Sequence, residues 1–295
     1  MRAAAVASGV ACVGLVLTAA CNNSRPTPTG PSPGAVPGLP QTVNLIAVGD
    51  IGECGSPAVE QTARLVDSID GHLVLAGDLA YMQGSMRNFL DCFDPSWGVH
   101  RRRWRPTPGN HEYVTPFASA YFAYFGEAAG EGFYSFRAGN WLVLMLNSNI
   151  EVGAGSPQYA FAQAEILAHQ TRCAMAVWHH PLFSSGQNGN NLMMRDLFDL
   201  LHRQGVDVVV AAHDHLYERF GKQDADGRSD GGGIRQFIAG TGGAHLYDFH
   251  RVAPNSQARV RAHGILKFTL NPTNYDWTFI STSGAIEDFG SDTCH

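Results

Sequence analysis

Charged side chains are scarce in this 295-residue chain, in which Asp, Glu, Lys and Arg make up only 16% of the residues. The net charge of −6 at pH 7 gives no basis for a nucleic-acid partner, or for an anionic membrane surface, held by bulk electrostatics. The sequence contains no internal repeat and no second linker beyond the N-terminal one described below. Its 44% hydrophobic content is enough for one large domain with a substantial core, or for two small ones.

The N-terminal segment predicts export. Arg2 provides a short positive region, and residues 3–20 form an apolar run that ends in small side chains, as in a secretory signal peptide. Residues 17–21 also resemble the cleavage site of a bacterial lipoprotein, in which Cys21 would carry the lipid, although Thr18 occupies a position where that pattern prefers Leu. An ordinary cleaved signal is the alternative. We expect an exported protein, anchored through Cys21 at the bacterial cell surface or in the periplasm, and otherwise secreted.

Residues 21–42 are expected to form a tether after this anchor. They consist mainly of Pro, Thr, Ser and Gly without hydrophobic periodicity. Such a segment cannot bury enough apolar surface to offset the conformational entropy that it would lose on ordering. The predicted organisation is a signal peptide at residues 1–20, a lipid-anchored tether at residues 21–42 and one folded domain at residues 43–295. Membrane contact is expected only through the lipid on Cys21.

Closely spaced cysteines, which would indicate a zinc site, are also missing. After Cys21 four cysteines remain, and no two of them have the short spacing of metal ligands. An even number of well-separated cysteines in an exported chain is typical of two disulfides, for which three connectivities are possible. Disulfides are therefore the prediction, and a zinc site is the alternative. The four cysteines are Cys54, Cys92, Cys173 and Cys294.

From residue 43 onward, apolar runs of strand length alternate with amphipathic stretches. Residues 43–48 and 72–76 are such runs, and between them Ser56-Pro57 predicts an N-cap followed by Pro at the first helical position. Strand, helix and strand in this order predict a parallel βαβ unit. The pattern indicates one α/β domain with either a mixed sheet or two packed sheets. Further strands are predicted at residues 133–136, 141–146, 174–178, 206–212, 265–270 and 275–280, and further helices at residues 157–168 and 192–202.

Side chains that can bind a metal directly follow several of these strands. Open α/β sheets bind ligands in the crevice outside the carboxyl ends of their strands. Each residue alone could belong to an ordinary turn, but four strand ends that bring carboxylate or imidazole groups to one edge predict a metal site. The residues are, in chain order, Asp50, Asp78, His179, His213 and His215, joined at the same edge by Asn110 and His111 on a loop.

The predicted strand ends also favour one disulfide connectivity. Cys54 and Cys92 lie in the segments that follow the first two strands, which end next to each other on the same rim. Cys294 would then join the closing strands to Cys173, at the start of the strand from residue 174. The predicted disulfides are therefore Cys54–Cys92 and Cys173–Cys294.

The order and local sequence of the candidate residues resemble the metallophosphoesterase superfamily and, within it, the purple acid phosphatases. The resemblance runs from about residue 43 to the end of the chain, with one departure at Ala212, where the family usually has Gly. Tyr81, three residues after Asp78, is similar to the tyrosine ligand that separates this subgroup from relatives without one. The matching motifs are Gly49-Asp50-Ile51-Gly52, Gly77-Asp78-Leu79-Ala80-Tyr81, Gly109-Asn110-His111-Glu112, His179-His180-Pro181 and Ala212-His213-Asp214-His215.

The resemblance implies a four-layer fold, in which two mixed β-sheets pack as a sandwich flanked by helices, with residues 43–295 as the catalytic domain. It also implies two metal ions. One metal would be bound by Asp50, Tyr81, His215 and a shared Asp78, and the other by Asn110, His179, His213 and the same Asp78.

The donor types agree with two different metals. The first set contains two carboxylates, a phenolate and one imidazole, which suits Fe(III). The second set contains a neutral amide and two imidazoles beside the shared carboxylate, which suits Zn, Mn or Fe(II). The family pattern places a ligand two residues before Pro181 and thus selects His179. His180 would then lie behind the ligands or face the substrate.

The implied activity is hydrolysis of phosphoric esters, and acid phosphatase activity on phosphomonoesters is the first expectation. A metal-bound hydroxide would attack phosphorus in line, and His111 would donate a proton to the leaving alkoxide. His111 could instead be a loop histidine bonded to a neighbour. A phosphodiesterase or nucleotidase on the same scaffold is one alternative activity. A surface-anchored binding protein with an inactive site is another, but it would be expected to have lost ligands that are all present here.

Overall fold

The computed structural model describes residues 42–295, and every element below belongs to that range. The predicted signal peptide, Cys21 and all of the predicted tether except Thr42 lie outside the described residues. Within residues 42–295, no helix is both long enough and apolar enough to cross a membrane.

Two mixed β-sheets form the centre of the fold, as predicted. Both sheets are mixed: the six-stranded sheet is parallel from β1 to its edge strand β3, and the seven-stranded sheet has a parallel centre between antiparallel edge strands. The six-stranded sheet contains, in spatial order, β13 (Ile286–Thr293), β12 (Asn274–Ser281), β11 (Gly264–Leu270), β1 (Val43–Val48), β2 (His72–Ala76) and β3 (Trp104–Thr107). The seven-stranded sheet contains, in spatial order, β10 (Ser256–Val260), β8 (Tyr217–Gln223), β9 (Ile234–Ala239), β7 (Val208–Ala211), β6 (Ala174–Val177), β5 (Trp141–Met145) and β4 (Tyr134–Ala138).

The two sheets pack face to face, and alternation along the strands explains why. In β1, Leu45 and Ala47 point into a core shared by both sheets, whereas Ile46 and Val48 point to the opposite face. Successive side chains of a strand point to opposite faces, so an entirely apolar strand must be covered on both. Burial of one such side chain stabilises the fold by about 1.5–3 kcal/mol. The outer faces therefore need a layer of helices.

Helices cover both outer faces and complete the four layers. α1 packs on the six-stranded sheet, and α5 and α6 pack on the seven-stranded sheet. Ser56 stands at the N-cap position of α1, but its hydroxyl donates to the Gly243 carbonyl (2.6 Å) instead of capping the helix. The helices are α1 (Pro57–Asp67), α2 (Met86–Asn88), α3 (Asp94–Trp97), α4 (Ser119–Phe125), α5 (Pro157–His169) and α6 (Arg195–Arg203). Short 3-10 or π-helical turns occupy residues 89–93, 98–103, 112–114, 116–118, 126–129 and 192–194.

The predicted strands and helices are present, but five strands were missed. β3 contains Arg105 and Pro106, which hide its strand character. β8, β9, β10 and β13 were missed as well, and the exposed or half-buried residues of β10 and β13 explain why these two edge strands lack an apolar run. The helix predicted from residue 192 starts instead with a 3-10 turn, and α6 begins at Arg195.

Both predicted disulfides are confirmed. Cys54 pairs with Cys92 across a Cα–Cα distance of 4.7 Å, and Cys173 pairs with Cys294 across 5.3 Å. The zinc alternative is wrong for these four cysteines, because every sulfur is already bonded to another. Two disulfides are consistent with an exported protein.

Candidate metal centre

The candidate residues meet where the parallel strands of both sheets end. Asp50, Asp78 and His213 each come two residues after the last residue of their strand, in β1, β2 and β7 respectively. All three have left-handed backbone conformations, with φ values of 56°, 51° and 70°. Side chains other than Gly adopt this conformation at a cost, and such strain clusters at functional sites. Here it turns the chain sharply off each strand and directs the side chains to one point.

Three of the candidate residues surround the Tyr81 hydroxyl group. This hydroxyl donates to Asp50 Oδ1 (2.7 Å) and lies 3.3 Å from Asp78 Oδ2 and 3.1 Å from His215 Nε2. Asp50, Asp78, Tyr81 and His215 are all buried. The other oxygen of Asp50 accepts a hydrogen bond from the backbone amide of His213 (2.8 Å). One group of oxygen and nitrogen donors is thus already assembled around Tyr81.

A second group of donors surrounds His179. The Nε2 atom of His179 lies 3.2 Å from Asp78 Oδ2, 3.1 Å from Asn110 Oδ1 and 3.2 Å from His213 Nδ1. His179 is fully buried, and it follows β6 in the seven-stranded sheet. Asp78 Oδ2 therefore faces both groups. All seven residues predicted as metal ligands are brought together.

Backbone carbonyls fix the orientation of two imidazole rings. His179 Nδ1 lies 2.8 Å from the Ala76 carbonyl, and His215 Nδ1 lies 2.7 Å from the His245 carbonyl. A carbonyl can only accept, so these contacts assign the ring proton to Nδ1. The Nε2 atoms then point into the site, in the orientation that metal-binding histidines commonly have.

The charges at the site are strongly coupled. Burial disfavours the charged form of Asp78, but the adjacent His179 outweighs burial and lowers the Asp78 pKa. Burial also opposes protonation of His179, but Asp78 raises its pKa to about 9. Burial, together with His179, lowers the pKa of His213 to about 4. Burial and nearby carboxylates raise the pKa of Tyr81 well above its ordinary value. A positive charge is thus favoured beside the buried carboxylates, and His213 keeps a free lone pair.

His111, predicted as the proton donor, lies at the rim of the same site. Its Nε2 is 3.8 Å from Asp78 Oδ2, and its Nδ1 is 2.5 Å from the Met82 carbonyl. The ring lies next to that of Tyr81, with 4.4 Å between ring centroids. Its backbone amide donates to Asp78 Oδ1 (2.8 Å). The side chain is 22% exposed, so the ring borders both the donor groups and solvent.

His180 lies beside the donors rather than among the contacts of Asp78. Its Nδ1 is 2.8 Å from the Ser148 hydroxyl, and its backbone amide donates to the same oxygen (3.0 Å). Its ring centroid lies 4.4 Å from that of His213 and 4.9 Å from that of His179. Burial, and then His179, lowers its pKa to about 2. His180 is therefore neutral and links the histidine cluster to the loop that carries Ser148.

Glu112 is a residue whose importance to the site was missed by reasoning from the sequence. It is fully buried, and its carboxylate accepts four backbone amide hydrogen bonds. Burial raises its pKa to about 7 and Asp78 adds to this effect, whereas the backbone donors act in the opposite direction. The carboxylate thereby ties the turn after β2 to the loop before Asn110. The donors are the amides of Asp78, Leu79, Ala80 and Gly109, at 2.7–3.2 Å.

Tyr247 is a second missed residue. Its ring stacks on His215 with 4.0 Å between centroids and an angle of 10° between planes. Its backbone amide donates to the His215 carbonyl (2.9 Å). The sequence signal for Tyr247 is weak, because it lies on a loop 32 residues after His215 without a recognisable motif.

Two close contacts explain small residues of the motifs. Gly109 packs against the Asp78 carboxylate, and a methyl group at this position would collide with it. Gly49 packs in the same way against the methyl group of Ala212. The Ala at 212, where Gly is usual, thus fits because the facing residue has no side chain.

Known proteins with similar sequences match a large part of this chain. Residues 43–217 match the family described as calcineurin-like phosphoesterase. The chain is similar to purple acid phosphatase 18 of Arabidopsis thaliana, with 30% identity over 226 residues that cover 68% of this chain and 50% of the relative. It is 33% identical over 193 residues to an uncharacterized protein of Mycobacterium tuberculosis, covering 55% of this chain and 36% of that protein. The chain spans about half the length of the plant relative.

Solved structures with the same architecture bear on the fold. The structure of purple acid phosphatase PPD1 from yellow lupin (Lupinus luteus) seeds is similar with a TM-score of 0.74 and 19% identity, over 88% of this chain and 55% of that chain. PhoD is similar with a TM-score of 0.60 and 10% identity, over 89% of this chain and 70% of that chain. These similarities agree with two mixed sheets flanked by helices.

Proposed function

Because the chain belongs to the calcineurin-like phosphoesterase family and its domain is similar to purple acid phosphatases, we propose that it hydrolyses phosphomonoesters at a centre of two metal ions. Residues 43–295 would form the catalytic domain. The substrate would be a phosphate ester, and the enzyme would work outside the cytoplasm, tethered by a lipid on Cys21.

The observation that carries this proposal is the position of Asp78 Oδ2 between two groups of donors. It lies 3.3 Å from the Tyr81 hydroxyl on one side and 3.2 Å from His179 Nε2 on the other. A carboxylate with donors on both sides is suited to bridge two cations. Buried carboxylates and imidazoles without cations would also be costly to desolvate. The donor set therefore fits two bound ions better than a purely structural network.

The chemistry of each group suggests which ion it would hold. Asp50, Tyr81 and His215, with the shared Asp78, would hold Fe(III), because a phenolate and two carboxylates form a hard, anionic set. The second ion would be Zn, Mn or Fe(II), held by Asn110, His179, His213 and the same Asp78. Two such ions would supply Lewis acidity that neutralises charge on the phosphoryl oxygens.

The side chains around this centre would perform the remaining steps. His111 would donate a proton from Nε2 to the leaving oxygen, because this atom lies 3.8 Å from Asp78 Oδ2 on a ring that is partly exposed to solvent. The Met82 carbonyl, 2.5 Å from Nδ1, would hold the ring in this orientation. His180, hydrogen-bonded to Ser148, would hold the neighbouring imidazoles in place.

Two measurements test the proposed function on the purified full chain. Metal analysis should give iron and a second ion for each chain. The catalytic efficiency kcat/KM should be higher on 4-nitrophenyl phosphate, a monoester, than on bis(4-nitrophenyl) phosphate, a diester. The two esters release the same leaving group, so the comparison reports only on the preference for a monoester or a diester. Faster cleavage of the diester would reassign the enzyme as a phosphodiesterase. A metal-loaded protein that cleaves neither ester would support an inactive binding protein.

A further inference from the structure

A groove of about 620 Å³ lies beside the candidate metal centre, and none of the residues proposed as ligands lines it. Residues 146–156 connect β5 to α5 and are called the β5–α5 loop below, and residues 149–156 of this loop line the groove. Met193, in the turn that follows the His179 segment, also lines it. Pockets of roughly 300–1,000 Å³ are the size that small ligands occupy.

The β5–α5 loop is joined to two of the segments that deliver ligands to the centre. The Asn149 side-chain amide donates to the Pro108 carbonyl (3.0 Å), two residues before Asn110. The Ser148 hydroxyl lies 2.8 Å from Nδ1 of His180. The β5–α5 loop itself holds no proposed metal ligand, but it is hydrogen-bonded to the segment that carries Asn110 and to the segment that carries His179. The groove that starts at Asn149 therefore lies next to the second metal site.

The start of the same loop is fixed by hydrogen bonds to residues outside it. The Gln158 side chain is fully buried, accepts from the Asn147 amide (2.6 Å) and donates to the Asn147 carbonyl (3.0 Å). The Asn147 side chain in turn donates to the Tyr113 hydroxyl (2.8 Å). A groove formed before a ligand arrives loses less entropy on binding than one that must be ordered. The hydrogen bonds of this loop therefore favour a groove that is formed before the ligand binds.

The lining of the groove defines the ligand that it suits. Ile150 is half-buried and Met193 is 59% exposed, so both residues present apolar carbon to the groove. Among the described residues that line the groove, Glu151 is the one that carries a charge. Apolar surface favours an apolar ligand, and the Glu151 carboxylate would repel an anion.

We propose that this groove binds the alcohol part of the phosphate ester and selects apolar, uncharged alcohols over anionic ones. The inference rests on the proposed function, and it adds a substrate class that the metal ligands do not determine. The phosphoryl group would occupy the centre, and the departing group would lie along the β5–α5 loop towards Met193. Aryl or branched alkyl esters fit this description, and esters of hydroxy acids do not.

Three esters whose leaving groups have similar basicity test the proposal. They are phenyl phosphate, 4-tert-butylphenyl phosphate and 3-carboxyphenyl phosphate. Wild-type, metal-loaded protein should have a roughly tenfold higher kcat/KM on the tert-butyl ester than on phenyl phosphate, as expected for added apolar groups in a fitting pocket. The carboxyl ester should be the poorest of the three.

Two substitutions in the groove should each change a different ratio of kcat/KM values. Met193→Asp should remove most of the preference for the tert-butyl ester. Glu151→Gln should raise kcat/KM on the carboxyl ester roughly two- to fivefold relative to phenyl phosphate, as expected for an exposed charge. The matched control is Leu167→Asp, because Leu167 is 55% exposed but lies near the far end of α5. The control should keep the wild-type ratios.

Binding of phosphonates, which needs no turnover, separates failure of the groove from failure of the proposed function. Wild-type protein loaded with metal should bind 4-tert-butylphenylphosphonate roughly tenfold more tightly than phenylphosphonate by calorimetry. Equal affinities for the two phosphonates would overturn the proposal that the groove binds the alcohol part. Ratios of kcat/KM that Met193→Asp leaves unchanged would overturn it as well. If the affinities differ as expected but no ester is hydrolysed, the proposed function fails and the groove remains.

Discussion

The Tyr81 hydroxyl donates a hydrogen bond to the Asp50 carboxylate over 2.7 Å, although the two residues follow different strands. Asp50 follows β1 and Tyr81 follows β2, and these strands are parallel neighbours, so their carboxyl ends lie side by side. His215 Nε2 approaches the same carboxylate to 3.4 Å from the other sheet. A phenol in this position shares its surroundings with two carboxylates and an imidazole. It is suited to bind the same cation as Asp50.

We predict that the oxidised, metal-loaded protein is coloured by a Tyr81–Fe(III) bond and that Tyr81→Phe abolishes the visible absorption. A phenolate requires a strongly acidic cation, and Fe(III) meets that need. Absorption spectra and metal analysis of both proteins provide the measurement. Tyr159→Phe is the control, since the Tyr159 hydroxyl lies 3.3 Å from an exposed Arg203 nitrogen, and it should keep the colour. A colourless wild type that contains two divalent ions would contradict the iron assignment.

We predict that His111→Ala lowers turnover on alkyl phosphates by roughly 10²–10⁴-fold and has much less effect on nitrophenyl phosphate. A proton donor matters most when the departing oxygen is basic, and nitrophenolate leaves without one. Steady-state kinetics on both esters provide the measurement. His169→Ala, on the exposed end of α5, is the control. An equal loss on both esters, with the metals retained, would show that His111 acts in binding or structure.

We predict that Glu112→Gln destabilises the protein and lowers its metal content. At pH 8, above the Glu112 pKa of about 7, the carboxylate accepts four amide hydrogen bonds. In Gln, an NH2 group replaces one of the two carboxylate oxygens and would face backbone N–H groups that also donate. Each buried donor left without an acceptor costs about 1–3 kcal/mol.

The measurements for Glu112 are thermal unfolding and metal analysis at pH 8. Glu127→Gln is the control, because Glu127 is exposed and lies on a turn. Normal stability together with a full complement of metal in Glu112→Gln would argue against the role of Glu112 as the tie between the two loops.

We predict that the mature protein carries a lipid on Cys21. The sequence basis is the Cys that follows two Ala residues and precedes a polar segment. Radioactive fatty acid supplied to expressing cells should label the wild type but not Cys21→Ala. Cys12→Ala, within the predicted signal peptide, should remain labelled. Equal labelling of the wild type and Cys21→Ala, or no label in the wild type, would contradict lipid modification of Cys21.

The sequence predicted the elements that carry their own local signal. β1 and β2 are continuous apolar runs, and α1 begins with Pro57 after a residue in the N-cap position. β3 could not be recognised in this way, since its residues include Arg105 and Pro106. It forms a strand because β2 supplies a parallel partner from Leu73 to Ala76. That partner exists only once the sheet has assembled.

The candidate ligands were identifiable because metal binding depends on residue type, and residue type is what a sequence contains. A single carboxylate or imidazole after a strand could belong to an ordinary turn, but several of them at successive strand ends, in this order along the chain, were informative. Glu112 was not identified, although it follows His111, because its role depends on amides 32–34 residues earlier in the chain.

Residue identity and local pattern thus predicted by themselves five of the parallel strands (β1, β2, β5, β6 and β7), the polar residues that follow four of them and the pairing of the cysteines. Tertiary structure decided that Asp78 Oδ2 faces donors from both sheets, because those donors arrive on chain segments that are distant in sequence. It also created the groove, whose wall depends on a hydrogen bond between Asn149 and Pro108 across 41 residues. A contact of this kind forms only when separate strands end at the same edge, and no local pattern records it.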